Sequence, residues 1–428
     1  MSGQRRILVL CWLAYALCYT LRVNIAVIIP AMVSTQQYTL TQMGLVTGLY
    51  FAVYMTGQLI NGYLGDRFSS KILIVSGLVL SALCNLGMAA AGSFPILLIC
   101  WGVNGLAQSM LWGPIMKTLA VWFAGYQLGR VSFYMSLSMI VGSAASWGLS
   151  SGIVRSLGWP AAFRLPALLV LVYALLLPFL FRNRPADSRL IDPNQAAAPQ
   201  PAPADADAGA RAAGPGGVEK PTIREFFQMI RLPGLLLISL TQGLIREGIG
   251  VWFPTILQQA GPFSGQSPWL VLLIIPVINF GGILLVRRLN RQLNGDSTRT
   301  LLLVFVLAAA VALLLNLLAG QGFWLVILVM VVLLALTYGM TPILTSVIPF
   351  QYAHYQHVAL TAGAIDFAIY SGAALSGVLS GLIAERFAWS GVMVLWLAAA
   401  AAGLILSAYR YHSDKGRQTY EQTIHHPS

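Results

Sequence analysis

Stretches of about 20 apolar residues recur along the whole chain, and they restrict its fold more than any other feature. Each is long enough to cross a hydrocarbon layer roughly 30 Å thick. In lipid a spanning segment must satisfy its own backbone hydrogen bonds, so these stretches are expected to be helices. Only 9% of the residues are charged, against roughly 25% in a soluble domain. The sequence therefore predicts an all-α polytopic membrane protein with twelve transmembrane helices, at residues 7–32, 41–64, 71–91, 94–118, 130–154, 160–181, 234–257, 267–288, 300–319, 322–348, 358–384 and 389–409.

A segment of different composition divides these spans into two groups of six. Residues 185–220 are rich in alanine and proline and poor in large apolar side chains, which is typical of a flexible linker. Residues 221–231 have the pattern of a short amphipathic helix at the membrane surface, or of an ordinary lead-in to the next span. The predicted units are an N-terminal six-helix bundle at 1–181, a cytoplasmic linker with the short helix at 182–232, a C-terminal six-helix bundle at 233–409 and a cytoplasmic tail at 410–428.

The positive charges are distributed unevenly between the two sides of the predicted bundle. Three of the 25 lysines and arginines lie within spans, and three flank spans on the side away from the termini: Arg155, Arg164 and Arg386. All the others lie on the side of the two termini, which the positive-inside rule assigns to the cytoplasm. The net charge of +12 thus reflects topology, and a nucleic-acid partner is not expected. We expect a multi-pass protein of the cell's inner (plasma) membrane, in contact with lipid.

Two arginines lie inside apolar spans at matching points of an internal repeat. Arg22 and Arg246 each begin the pattern R-x-x-I-x-V-x-x-P, about half a chain apart. A charge at the bilayer centre costs at least about 2.5–3.5 kcal/mol, so an intramembrane arginine suggests a function. The guanidinium group binds carboxylate or phosphate oxygens in a bidentate way and stays protonated. The pair therefore predicts a central site for a small anionic substrate that is bound from both halves.

Polar side chains also recur at helical spacing on several spans, so that those of one span share a face. Such faces point to the bundle interior, because lipid would leave their polar groups unpaired. They either line the central cavity or join helices to one another through hydrogen bonds. As substrate contacts beside the arginines we predict Tyr15, Tyr19, Tyr54, Gln58, Gln108 and Tyr370.

Glu247 and Asp366 are the two acids that fall deep within spans. They could balance the two arginines as internal ion pairs, which is the alternative to an anion site. Adjacent residues on a helix point about 100° apart, so we expect Glu247 to be a poor partner for Arg246. Asp366 could pair with an arginine in the empty state, or it could carry a coupling proton.

The arrangement of two six-span halves resembles the major facilitator superfamily, whose halves are repeats around a site near the middle of the membrane. The loop after the second span, Gly62-Tyr-Leu-Gly-Asp66-Arg67-Phe-Ser-Ser-Lys71, is similar to the gating loop of that superfamily. From this resemblance Asp66 and Arg67 are expected to join two cytoplasmic helix ends and not to contact the substrate.

Three segments resemble the organophosphate:phosphate antiporter family in particular. They are Tyr15-Ala-Leu-Cys-Tyr19-Thr-Leu-Arg22, the fourth-span segment from Trp101 to Phe123, and Leu244-Ile-Arg246 with Trp252-x-Pro254. The resemblance implies a rocker-switch antiporter that exchanges an organic phosphate for inorganic phosphate, in which both arginines bind phosphate. It also implies a monomer without a cofactor.

The chain departs from the family's glycerol-3-phosphate transporter at two site positions. Gln58 stands where that transporter has a lysine, and the fifth span offers Ser136, Ser138 or Met139 where it has a histidine. The site is therefore less positive than that of the glycerol-3-phosphate transporter. Its substrate could carry less charge, or its coupling ion could be a proton. One alternative function is proton-coupled symport of an organic acid such as a sugar acid, and a second is ligand sensing by a transporter-like protein.

Enzymatic activity is not expected from this sequence. It contains no phosphate-binding loop of the G-x-x-x-x-G-K-[ST] type, no nucleophile elbow and no His/Cys cluster with metal-ligand spacing. The four cysteines fall within predicted spans, so a disulfide framework is not expected either.

Overall fold

The computed structural model describes residues 3–35, 38–123, 125–182, 225, 227, 230–260, 269–351 and 358–425. Within these residues the regular structure is helical. We number the membrane spans from 1 to 12 in chain order. The first half consists of Gly3–Thr20 and Asn24–Ser34 (span 1), Leu40–Arg67 (span 2), Ser70–Ala90 (span 3), Phe94–Ser109 and Trp112–Trp122 (span 4), Gly125–Leu157 (span 5) and Trp159–Leu180 (span 6).

The second half repeats this order. It consists of Leu232–Ala260 (span 7), Trp269–Gln292 (span 8), Ser297–Leu317 (span 9), Phe323–Pro342 (span 10, continued by a π-helix at Ile343–Val347 and by Ile348–Gln351) and Val358–His425 (spans 11 and 12). The last helix is interrupted at Ala388, whose φ of 55° and ψ of −171° are not helical. This residue separates spans 11 and 12, since 54 of the residues of this helix form one apolar stretch, and one crossing needs only about 20.

Eleven apolar helices long enough to span a membrane lie in the described residues, and the last of them contains two crossings. The predicted fold class of twelve transmembrane helices in two six-helix repeats is therefore confirmed. The predicted linker at 182–232 lies largely outside the described residues. The last helix continues to His425, whereas its apolar stretch ends at Ser413, so the predicted tail at 410–428 begins as a helix continuous with span 12.

Small residues allow the helix backbones to approach one another closely. A methyl group at Gly243 of span 7 would collide with the backbone of Ile369 in span 11, and one at Gly372 would collide with the backbone of Leu240. In lipid, where apolar burial does not drive helices together, such close van der Waals packing is a main source of association. This contact fixes span 7 against span 11 beside Arg246.

The two halves contact each other through spans 2 and 11, near the membrane side opposite the chain termini, which we call the distal side. A Cβ atom at Gly44 would lie 2.5 Å from the carbonyl oxygen of Gly377, and one at Gly381 would lie 2.5 Å from that of Leu40. The backbone N–H of Thr41 also donates to a carboxyl oxygen at the distal end of span 11 at 3.0 Å. The halves are therefore closed against each other on the distal side.

Candidate functional site

Span 1 is interrupted at Arg22, between the helices that end at Thr20 and begin at Asn24. The carbonyl oxygen of Leu21, which lies in this break, accepts hydrogen bonds from the amide groups of Asn85 at 3.2 Å and Asn104 at 3.0 Å. Irregular backbone at membrane depth is tolerated where protein groups satisfy it. The polar side chains of spans 3 and 4 thus stabilise the break and hold Arg22 at the bundle centre.

Gln108 belongs to the same group of side chains. Its amide nitrogen donates to the carbonyl oxygen of Cys18 at 3.1 Å and to the hydroxyl of Ser81 at 2.9 Å, and its amide oxygen accepts from the Cys18 thiol. The amide therefore has both donors engaged by spans 1 and 3. For Gln108 this geometry favours helix–helix stabilisation over the substrate contact that we predicted.

Arg22 lies among four tyrosine rings. Its guanidinium carbon is 4.5 Å from the ring centre of Tyr54, 5.5 Å from Tyr19, 5.6 Å from Tyr370 and 5.9 Å from Tyr50. It also donates to the hydroxyl of Tyr370 at 3.3 Å. Cation–π contacts stabilise a cation by about 0.5–1 kcal/mol at exposed sites and by about 2 kcal/mol where water is excluded. Tyr370 belongs to span 11, so this group of residues joins the two halves of the chain.

The predicted residue Tyr15 lies one turn before Tyr19 in span 1. Its ring centre is 5.4 Å from that of Tyr19 and 4.8 Å from that of Trp112. Both tyrosines are buried. They form an aromatic row that continues from Arg22 towards the terminal side of the membrane.

Tyr50 is a site residue that our sequence analysis missed. Its hydroxyl is buried and has no hydrogen-bond partner among the described residues, although a buried hydroxyl usually has one. It lies one turn before Tyr54 on span 2, and this spacing was the signal in the sequence that could have identified it. This buried, unpaired hydroxyl belongs to a ring whose centre lies 5.9 Å from the guanidinium carbon of Arg22.

Arg246 has a different environment from Arg22. Its Nε and Nη2 atoms donate to one carboxyl oxygen of Glu247, at 3.0 and 2.7 Å, and its Nη1 donates to the hydroxyl of Thr341 at 2.8 Å. The ring of Tyr338 lies 5.4 Å from its guanidinium carbon. Tyr338 and Thr341, both on span 10, were not among the predicted site residues.

The expectation that Glu247 is a poor partner for Arg246 is wrong. The two side chains form an ion pair at 2.7 Å. Helix geometry fixes the directions of the two Cβ atoms, but both side chains are long and flexible, and their ends can meet on the same side of the helix. A charge removed from water is strongly stabilised by such a partner.

Two further predicted residues are half-buried and form no hydrogen bond or close ion pair among the described residues. The carboxyl group of Asp366, one turn before Tyr370, forms no ion pair there within 4.0 Å, and Gln58 donates no hydrogen bond to a described residue. The predicted pairing of Asp366 with an arginine is thus not seen in this structure. The side chains of Asp66 and Arg67 lie outside the described part of the chain.

The site therefore brings together two arginines, five tyrosines and two acids from spans 1, 2, 7, 10 and 11. They are Arg22, Arg246, Tyr19, Tyr50, Tyr54, Tyr338, Tyr370, Glu247 and Asp366. With both acids ionised, these groups carry no net charge. The arrangement can bind an oxyanion through guanidinium and phenol donors supplied by both halves.

The chain is similar along most of its length to transporters of phosphate esters. It is 23% identical over 415 residues to the glycerol-3-phosphate transporter of Bacillus subtilis, covering 94% of this chain and 91% of that one. It is 23% identical over 400 residues to a glucose-6-phosphate exchanger of Bos taurus, covering 85% and 79%. Over 178 residues, 41% of this chain and 38% of the relative, it is 30% identical to the phosphoglycerate transporter protein of Salmonella typhimurium.

A solved structure has the same fold. It is a bacterial homolog of the human lysosomal transporter Spinster in an inward-facing and occupied conformation, with a TM-score of 0.70 at 14% identity, covering 97% of both chains. The sequence profile described as "Major Facilitator Superfamily" matches residues 11–377. The relatives are named as transporters and exchangers. These names agree with the predicted resemblance and with the expectation that the chain is not an enzyme. The chain therefore belongs to the major facilitator superfamily.

Proposed function

We propose that the protein exchanges a phosphorylated metabolite for inorganic phosphate, with Arg22 and Arg246 binding the phosphoryl oxygens. The observation that carries this proposal is the position of Arg22. It lies in a break of span 1, faces four tyrosines and contacts Tyr370 of the other half at 3.3 Å. The names of the relatives, which handle glycerol 3-phosphate, glucose 6-phosphate and phosphoglycerate, support phosphate as the charged group of the substrate.

The chemistry of the site suits a phosphoryl group. A guanidinium group donates two parallel hydrogen bonds to a phosphate and keeps its charge at any physiological pH. The hydroxyls of Tyr50, Tyr54 and Tyr370 can donate to the remaining oxygens. Gln58 and Tyr15 lie farther along the same spans and would contact the organic part of the substrate.

Transport requires that the bound anion contact both halves. An anion held between Arg22 and Arg246 replaces the Arg246–Glu247 pair, which lies within one half, by contacts that join the two halves, and this changes the relative stability of the two conformations. The halves at 1–181 and 233–409 would then move as two bodies connected by the linker at 182–232. With the termini in the cytoplasm, the side on which spans 2 and 11 close against each other would be the outward side.

The decisive experiment is phosphate exchange in proteoliposomes. Proteoliposomes that contain the purified protein are loaded with labelled inorganic phosphate. Glycerol phosphates, sugar phosphates, phosphoglycerate or sugar acids are then added outside, without ATP. The proposal expects efflux of label only in response to phosphate esters and phosphate. Absence of phosphate counterflow with every phosphate ester would contradict it.

One observation favours a second candidate, proton-coupled symport of an organic acid. Arg246 is already paired with Glu247, and Asp366 forms no ion pair among the described side chains. The site is thus less positive than two arginines alone would make it, and Asp366 is available to carry a proton. Uptake of a sugar acid driven by an imposed pH gradient, in the same vesicles, would favour this function.

A further inference from the structure

The two arginines of the site differ in the side chains that contact them. The Nε–Nη2 edge of Arg246, which can bind an oxyanion through two parallel hydrogen bonds, is occupied by one oxygen of Glu247, and Nη1 is occupied by Thr341. Arg22 contacts neutral tyrosines. A substrate anion therefore meets one arginine that holds no carboxylate and one that already holds a carboxylate.

Resting on the function proposed above, we propose that Glu247 is a tethered competitor of the substrate. In the empty site its carboxylate neutralises Arg246, and a bound ligand must displace it from the guanidinium edge. The two side chains are 7% and 17% exposed, so the pair is mostly buried, and the acid is the more exposed of the two. Glu247 would thereby determine which anion charge the site accepts.

The physical reason is the cost of an unpaired charge. A buried guanidinium without a partner is strongly unfavourable, so Arg246 needs an anion whenever the substrate is absent. A ligand that binds only the unpaired form has its affinity lowered by the fraction of protein in that form. The displaced carboxylate also remains nearby, where it repels a dianion more than a monoanion.

The other groups near this pair do not neutralise Arg246 through a direct contact. Span 10 contributes Tyr338 and Thr341, and span 11 contributes Tyr370 and Asp366, whose carboxyl forms no ion pair among the described side chains. Among the described acids, only Glu247 is in contact with a site arginine. It is therefore the residue whose charge the substrate must replace.

The test compares two ligands of one shape and different charge. At pH 8 methyl phosphate is a dianion, since the second pKa of a phosphate monoester is about 6, and methyl sulfate is a monoanion. Binding to the purified full-length protein is measured by calorimetry for the wild type, for Glu247→Gln and for Glu247→Asp. Asp296→Asn is the matched control, because Asp296 is an exposed acid that caps span 9, and asparagine caps a helix equally well.

We expect Glu247→Gln to bind methyl sulfate about tenfold more tightly than the wild type, and methyl phosphate more tightly by a larger factor. Glu247→Asp, which keeps the charge, should retain the wild-type ratio of the two affinities, and Asp296→Asn should change neither. If Glu247→Gln binds both ligands equally to the wild type, or more weakly, Glu247 only positions Arg246 and the proposal is overturned.

The same variants separate this proposal from the proposed function. A wild-type protein that binds gluconate and does not bind methyl phosphate would refute the phosphate function alone. Gluconate is also an oxyanion and must displace Glu247 in the same way. A gain in gluconate affinity for Glu247→Gln would still support the competitor role, and no gain would overturn it.

Discussion

Replacing Arg22 by lysine tests the central element of the proposed site. The substitution keeps the positive charge and removes the guanidinium group, which can donate two parallel hydrogen bonds. Arg22 donates through Nη2 to Tyr370 and lies 4.5 Å from the ring of Tyr54. A lysine ammonium can still lie over these rings, but it cannot donate two parallel hydrogen bonds to one phosphoryl group. The change should therefore impair substrate binding much more than folding.

The magnitude follows from these contacts. A hydrogen bond to a charged group contributes about 1.5–3 kcal/mol, which corresponds to a loss of roughly 10- to 150-fold in affinity. The cation–π contacts, at about 2 kcal/mol where water is excluded, are largely retained by lysine. The variant should thus reach the membrane in normal amounts and show almost no exchange at substrate concentrations that suffice for the wild type.

The assay is the initial rate of labelled-phosphate exchange in proteoliposomes, measured over a range of substrate concentrations. Arg164→Lys is the control, since Arg164 lies exposed on span 6 and donates to the carbonyl oxygen of Ala89 at 3.3 Å, away from the site. Exchange by Arg22→Lys at the wild-type rate and apparent affinity would refute the assignment of Arg22 to the substrate.

Four other substitutions have distinct expected outcomes. Arg246→Lys should reduce exchange by about tenfold or more, since one charge-assisted hydrogen bond is lost, while expression, followed by immunoblot, stays normal. Asp366→Asn should abolish accumulation driven by a pH gradient and retain exchange, and an unchanged pH dependence would exclude a proton-carrying role. Tyr50→Phe should leave the melting temperature unchanged, because its hydroxyl has no hydrogen-bond partner among the described residues, and weaken substrate binding roughly 5- to 10-fold, the value of one hydrogen bond. Gly44→Ala should destabilise the distally closed state by roughly 1–3 kcal/mol and slow exchange, whereas Gly152→Ala, where a Cβ meets nothing within 4 Å, should not.

The fold could be predicted from the sequence because lipid leaves few alternatives. A segment that crosses the bilayer has no water to satisfy its backbone and must be a helix, and the thickness of the bilayer sets its length. The predicted spans at 71–91 and 160–181 therefore agree closely with Ser70–Ala90 and Trp159–Leu180. The interruptions of spans 1 and 4 were not predicted. Residues 21–23 contain neither proline nor glycine, and the break depends on amide groups supplied by two other spans.

The site was predicted in part, for a similar reason. Arg22 and Arg246 could be identified because a charge in an apolar span has a high cost whatever surrounds it. Their partners depend on three-dimensional neighbours, and so Tyr50 and Tyr338 were missed. Glu247 was judged from the helical angle alone, which does not describe where two long side chains end.

The repeated motif explains why the two halves can present matching arginines in unequal environments. The pattern R-x-x-I-x-V-x-x-P fixes each arginine at an equivalent place in its half, but the residue that follows is Val23 in one copy and Glu247 in the other. Valine has no charged group, so Arg22 contacts tyrosines. Glutamate forms an ion pair with Arg246. Under the proposed function, an anion would bind first to Arg22, which holds no carboxylate, and would then compete with Glu247 for Arg246. Engagement of the second half would therefore depend on the strength of the ligand's charge, so one residue difference between the repeats would link substrate choice to the movement of the halves.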